Sequence, residues 1–83
     1  MGGFTYQLFI KPGCSSCKSM LTFLSEKNAK SNIIDISTKE GFISSSYQEI
    51  MKLPTVILLD DNNKAIDRMY TIKELQEHFK NFN

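Results

Sequence analysis

Two cysteines three residues apart, Cys14 and Cys17, are the only thiols in this chain, and they sit in the run Lys11-Pro12-Gly13-Cys14-Ser15-Ser16-Cys17. Thiols at that spacing can close a small disulfide ring. A helix starting at or beside Cys14 would aim unpaired backbone N–H groups at its sulfur and favour the thiolate. The chemistry this suits is reversible thiol–disulfide exchange, with Cys14 attacking and Cys17 resolving the mixed disulfide. Two other uses of the pair stand beside it. A structural staple over so short a loop removes little entropy from the unfolded chain. A Cys-x-x-Cys is also half a zinc site, but the other strong ligand, His78, stands alone, so a closed intramolecular site is not expected. A metal or iron–sulfur module shared between two chains, each bringing its own thiolates, remains the alternative from another class.

The elements that must position the pair can be read outward from it. Phe4 to Ile10 is aromatic and branched and is stopped by Pro12-Gly13, so it reads as an interior strand leading into the motif. After Cys17, Met20, Leu21 and Leu24, broadened by Phe23, continue an apolar helical face to about Lys27. Asn32 to Ile36 is a second short strand, and strand, helix, strand in that order predict a right-handed crossover with parallel strands. Ser37 and Glu40 have capping-box spacing, and Ile43, Tyr47, Ile50 and Met51 recur at helical intervals up to Lys52. Gly41 and Ser44-Ser45-Ser46 are weak helix formers, so the first half of that helix could be loop.

Leu53-Pro54 ends the second helix, since a residue before proline is pushed toward extended geometry. Thr55 to Leu59 is a continuous apolar run, as in a strand covered on both faces. Asp60 to Asn63 is a hairpin turn by composition, and Lys64 to Tyr70, with alternating charges, is an edge strand. Thr71 and Glu74 form a second capping-box pair, opening a helix along Ile72, Leu75, Phe79 and Phe82. His78 on this helix reads as a surface or half-buried residue. The expected order is β-α-β-α-β-β-α: an α/β fold with a four-stranded mixed sheet flanked by helices.

Length and charge bound what such a fold can serve. The 83 residues are expected to form a single domain with no room for a separate substrate domain. Ten Lys and Arg against nine Asp and Glu give a net charge of +1, which makes no case for nucleic acid or a membrane surface as partner. Met1-Gly2-Gly3-Phe4 has no signal-peptide pattern, so a cytoplasmic protein is expected, in a compartment where Cys-x-x-Cys pairs are usually catalytic or metal-binding.

With these residues in place, the chain resembles the thioredoxin-fold superfamily, and within it the small glutaredoxins and glutaredoxin-like thioredoxins. The likeness spans nearly the whole chain. It is carried by Lys-Pro-x-Cys-x-x-Cys opening a helix and by Leu53-Pro54-Thr55, where the family has a cis-proline facing the redox pair and offers backbone to an extended substrate. The resemblance implies a monomeric thiol–disulfide oxidoreductase with no tightly bound cofactor beyond its redox-active disulfide. Its partners would be a disulfide-containing protein, with ribonucleotide reductase among the enzymes such donors supply, and a thioredoxin-reductase-like or glutathione reductant.

Departures from the family bear on glutathione. Tyr70-Thr71 stands where glutathione-using members carry two glycines, and the Tyr70 ring could fill or reshape that groove. Glu74 stands where an acid belongs, but helix capping explains it equally. Ser15-Ser16 replaces the usual aromatic between the cysteines, and the tryptophan of typical thioredoxin motifs is absent. Lys11 is either a cation favouring the Cys14 thiolate or holding a substrate carboxylate, or a solvated strand-end lysine; Lys18 reads as solvated.

Overall fold

In the computed structural model, which describes residues 4–82, the chain runs β1 (Thr5–Ile10), α1 (Ser15–Glu26), β2 (Ser31–Asp35), α2 (Lys39–Tyr47), β3 (Thr55–Leu59), β4 (Ala65–Met69) and α3 (Ile72–Phe82). Met1 to Gly3, read above for an export signal, lie outside the described residues, as does the side chain of Phe82. The sheet order is β2-β1-β3-β4, with β1 parallel to β2 and antiparallel to β3, and β3 antiparallel to β4. The expected order of elements is therefore the one found, and β4 is an edge strand.

Strand alternation divides the core between two faces of the sheet. Tyr6 and Leu8 of β1 and Val56 and Leu58 of β3 pack with Met20 and Leu24 of α1 and Leu75 and Phe79 of α3. Phe9, Ile57 and Leu59 point to the other face, against Ile34, Ile36, Ile50 and Leu53. Every residue of β3 is buried, as a run without polar alternation requires of a strand covered on both sides.

The second helix differs from its expectation at both ends. Its N-cap is Thr38, whose Oγ1 accepts from the Gly41 N–H at 3.0 Å; Ser37 instead gives its N–H and hydroxyl to Asp35 Oδ1. The Gly41 and serine stretch is helical, and the part beyond Tyr47, expected to be helix as far as Lys52, is not. The face is reversed as well. Gly41 and Ser45 are the buried residues of α2, while Ile43 and Tyr47 point outward, as does Met51 in the following loop. Small side chains let the helix backbone lie close to the end of β2, and that proximity replaces a broad apolar seam.

His78 also corrects its expectation, being buried at 7% exposure. Its Nε2 lies 2.7 Å from the Tyr6 hydroxyl, and its ring meets Tyr6 and Phe79 edge-on. Burial lowers the His78 pKa from its ordinary value, with Asp67 opposing the shift, and burial raises that of Tyr6. A histidine with a depressed folded pKa binds fewer protons folded than unfolded, so stability rises with pH across its titration. The contribution is present above the unfolded value of about 6.5 and lost as pH falls through the lower folded value. Thermal midpoints between pH 7.5 and 5 should therefore fall more in the wild type than in His78→Gln. Equal falls would show that His78 carries no such linkage.

Candidate active site

The turn between β1 and α1 is built by three residues with separate roles. Pro12 fixes its own φ, and Gly13 adopts φ +82°, a left-handed conformation available to glycine at little cost. No atom lies within 4 Å of where a Gly13 Cβ would stand, so conformation and not space calls for glycine here. Cys14 then takes the N-cap position of α1, with extended backbone. Its Sγ accepts from the Cys17 N–H at 3.2 Å, the bond a serine or aspartate oxygen usually accepts at a helix start.

Cys14 and Cys17 are joined as a disulfide across a Cα–Cα distance of 5.2 Å. They are unequally exposed. Cys14 is half-buried at the helix mouth, whereas Cys17, on the first turn, is only 3% exposed and faces the core. A nucleophile approaching from solvent meets Cys14 first, and the helix N-terminus stabilises negative charge on that sulfur when the bond opens.

Other candidate residues come to the same end of the sheet. Phe9 pairs with Thr55 and Val56 with Met69, so Lys11, Pro54 and Tyr70 all leave their strands at the end where α1 begins. The Leu53-Pro54 peptide bond is cis. Leu53 packs against the Phe9 side of the core, and Pro54 is buried. Thr55 is fully buried and its hydroxyl donates to the Lys52 carbonyl at 2.6 Å, so its side chain is turned inward. The Tyr70 ring lies under Lys52 Nζ at 4.4 Å. Lys11 and Lys18 are both exposed.

Glu74 is committed to the helix start. Its Oε1 accepts from the Tyr70 N–H at 2.8 Å and the Thr71 N–H at 3.1 Å, and its own N–H donates to Thr71 Oγ1 at 3.1 Å. This is the capping box read from the sequence, completed by one further donor.

A hollow of about 410 Å³ opens beside the disulfide. It is lined by Ile10 at the end of β1, by the turn from Lys11 to Cys14, and by Ser15, Cys17, Lys18 and Leu21 of α1; Leu53, Pro54, Thr55 and Tyr70 are not part of it. Leu21, assigned above to the apolar helical face, is 37% exposed and belongs to this rim. Its signal in the sequence was its place one turn beyond Cys17, at the margin of an apolar stripe wider than one buried face needs. Among the described residues, no group of three or more His, Cys, Asp and Glu side chains is placed to hold a metal ion, and no helix is long and apolar enough to cross a membrane.

No protein-family model and no curated protein matches the chain in sequence. Solved structures do match in shape. The reduced thioredoxin preprotein of Schistosoma mansoni superposes with a TM-score of 0.78 at 18% identity, over 98% of this chain and 80% of that one. Thioredoxin 1 of Thermosipho africanus gives 0.73 at 25% identity, over 94% and 92%. A structure of ferredoxin:thioredoxin reductase in complex with thioredoxin f2 gives 0.78 at 14% identity, over 95% and 76%. The chain thus has the thioredoxin fold, and a close-spaced cysteine pair closed as a disulfide at the start of its first helix supports thiol–disulfide exchange.

Proposed function

We propose that the protein is a dithiol oxidoreductase that reduces disulfides in protein substrates, working as a monomer in the cytosol. The observation that carries this reading is the half-exposed Cys14 at the N-cap of α1, closed onto the buried Cys17. In the reduced form, the Cys14 thiolate attacks one sulfur of the substrate disulfide. A Cys14–substrate disulfide forms, and the other substrate sulfur leaves as a thiolate and takes up a proton. The Cys17 thiolate, its proton lost to solvent, then attacks Cys14 Sγ and displaces the second substrate thiolate. The substrate gains two electrons and the Cys14–Cys17 pair gives them up.

Lys11, Leu53, Pro54 and Tyr70 frame the approach to Cys14 in this reading. Leu53 and Pro54 present backbone to an extended substrate, Thr55 holds the loop through Lys52, and Tyr70 bounds the far side. A reductase must return two electrons each cycle. A structural neighbour bound to a thioredoxin reductase supports a donor of that class. Engagement of Glu74 in capping, and Tyr70 where the resembling glutathione users have glycine, weigh against glutathione as the donor.

The test follows NADPH consumption with insulin disulfides as substrate and Cys14→Ser as blank. Turnover with a thioredoxin reductase, and little with glutathione plus glutathione reductase, is the expected result. Turnover through glutathione alone would make the protein a glutaredoxin. If, with dithiothreitol as donor and insulin precipitation as the readout, the protein reduces insulin no faster than the Cys14→Ser blank, the oxidoreductase reading is overturned. Bound metal in anaerobically purified protein of doubled mass would then point to the shared-cluster module.

A further inference from the structure

We propose that the hollow on the α1 side of the disulfide is a docking subsite for an acidic stretch of a polypeptide substrate, with Lys18 and Leu21 as its specificity-determining residues. The proposal rests on the oxidoreductase reading, because it names the kind of chain that reaches the same disulfide.

Position comes first. Both cysteines line the hollow, so a chain seated in it lies against the reacting sulfurs, yet its walls exclude Leu53, Pro54, Thr55 and Tyr70. It is therefore a second contact surface, separate from the backbone offered at Pro54. Lys18 and Leu21 are three apart on α1 and share one flank of it, while Met20 and Leu24 turn inward to the core. The ammonium and an exposed leucine thus stand side by side at the rim, with Ile10 as further apolar wall.

Charge identifies the occupant. The ionisable side chains at the rim, apart from the cysteines, are Lys11 and Lys18, with no carboxylate among them. Together they carry more positive charge than the chain's net +1. No hydrogen bond, ion pair or ring contact to a described residue holds either ammonium, in contrast to Lys27 over Phe23 and Lys52 over Tyr70. Two uncommitted cations beside an apolar wall fit a segment with Glu or Asp and an aliphatic residue next to its half-cystine. Such a surface raises encounter rate and sets register, and salt weakens it.

The experiment compares three disulfides at low salt: a peptide disulfide flanked by Glu and Leu, the same peptide with Lys for Glu, and neutral hydroxyethyl disulfide. With wild-type protein, kcat/KM should favour the acidic peptide over the basic one by about fivefold, as two partly exposed ion pairs give, and the ratio should shrink toward one in high salt. Lys18→Glu should abolish or reverse that ratio, and Leu21→Ser should lower kcat/KM for both peptides relative to hydroxyethyl disulfide. Any change in Cys14 reactivity cancels in the ratios. Lys39→Glu, an exposed charge reversal on α2, should leave the ratio unchanged.

Equal use of both peptides by the wild type, or equal loss of preference in Lys39→Glu, would overturn the subsite while leaving the reductase reading standing. An acidic-over-basic preference that survives in Lys18→Glu, or a Leu21→Ser loss equal on the peptides and on hydroxyethyl disulfide, would overturn the polypeptide occupant of this hollow. Failure to reduce any of the disulfides would overturn the oxidoreductase reading, and the subsite with it.

Discussion

Cys17→Ser is expected to hold substrate on Cys14 as a mixed disulfide, stable on a non-reducing gel, while Cys14→Ser loses turnover by several orders of magnitude. The asymmetry follows from position. Cys14 is the half-exposed N-cap of α1, nearest the orphan N–H groups that stabilise a thiolate, and Cys17 is 3% exposed within the first turn. The first step needs a sulfur that an incoming disulfide can reach, and only Cys14 offers one. The second step is intramolecular, so a buried sulfur serves. With Cys17 replaced, the mixed disulfide has no internal thiol to displace it and persists until an external one does. Trapping by Cys14→Ser with turnover by Cys17→Ser would reverse the roles.

How much of this was legible beforehand depended on how local each signal was. The redox pair, the strand before it and the capping box at Thr71 and Glu74 are written within a few residues, and each appears where its chemistry requires. The burial of β3 followed from an unbroken apolar run. What the sequence hid was pairing at long range and the direction of a face. Tyr6 and His78 are 72 positions apart, and no periodicity announces that a tyrosine on β1 meets a histidine on α3.

The second helix misled for a different reason. Ile43 and Tyr47 recur one turn apart and look like a core seam, but the seam is made by Gly41 and Ser45 on the opposite side. Hydrophobic periodicity finds a buried face only where burial is achieved with large side chains. Where two backbones come together, the buried residues are the small ones and the pattern inverts. The hollow beside the disulfide is hidden for the converse reason: Leu21 has the spacing of a core residue, but Met20 and Leu24 already fill that face and leave it 37% exposed.

Gly41→Ala is expected to destabilise the protein by roughly 2 kcal/mol, against the sign that helix propensity alone would give. In an open helix this change stabilises by about 1 kcal/mol, because alanine has less conformational freedom to lose. Here an added Cβ would overlap the Asp35 carbonyl oxygen, with the carbonyl carbon at 2.6 Å and Thr38 Oγ1 at 2.9 Å. That carbonyl cannot swing aside cheaply, since it accepts from both the Thr38 N–H at 3.1 Å and the Thr38 hydroxyl at 2.8 Å. Relief therefore requires α2 to lift from the sheet or the end of β2 to shift. Asp35 is paired with Ile10, and the Ile36 N–H donates to the Ile10 carbonyl, so a shift there reaches the last residue of β1 before the Cys14 turn. A thermal midpoint lower by about 10 °C is expected for a chain of this size, with slower disulfide reduction if the turn is disturbed. Ser46→Ala, exposed on the same helix, should be neutral or slightly stabilising and serves as the reference for propensity alone. A Gly41→Ala variant as stable as Ser46→Ala would mean that α2 does not approach Asp35 as closely as the structure places it, and the account of the reversed helix face would fall with it.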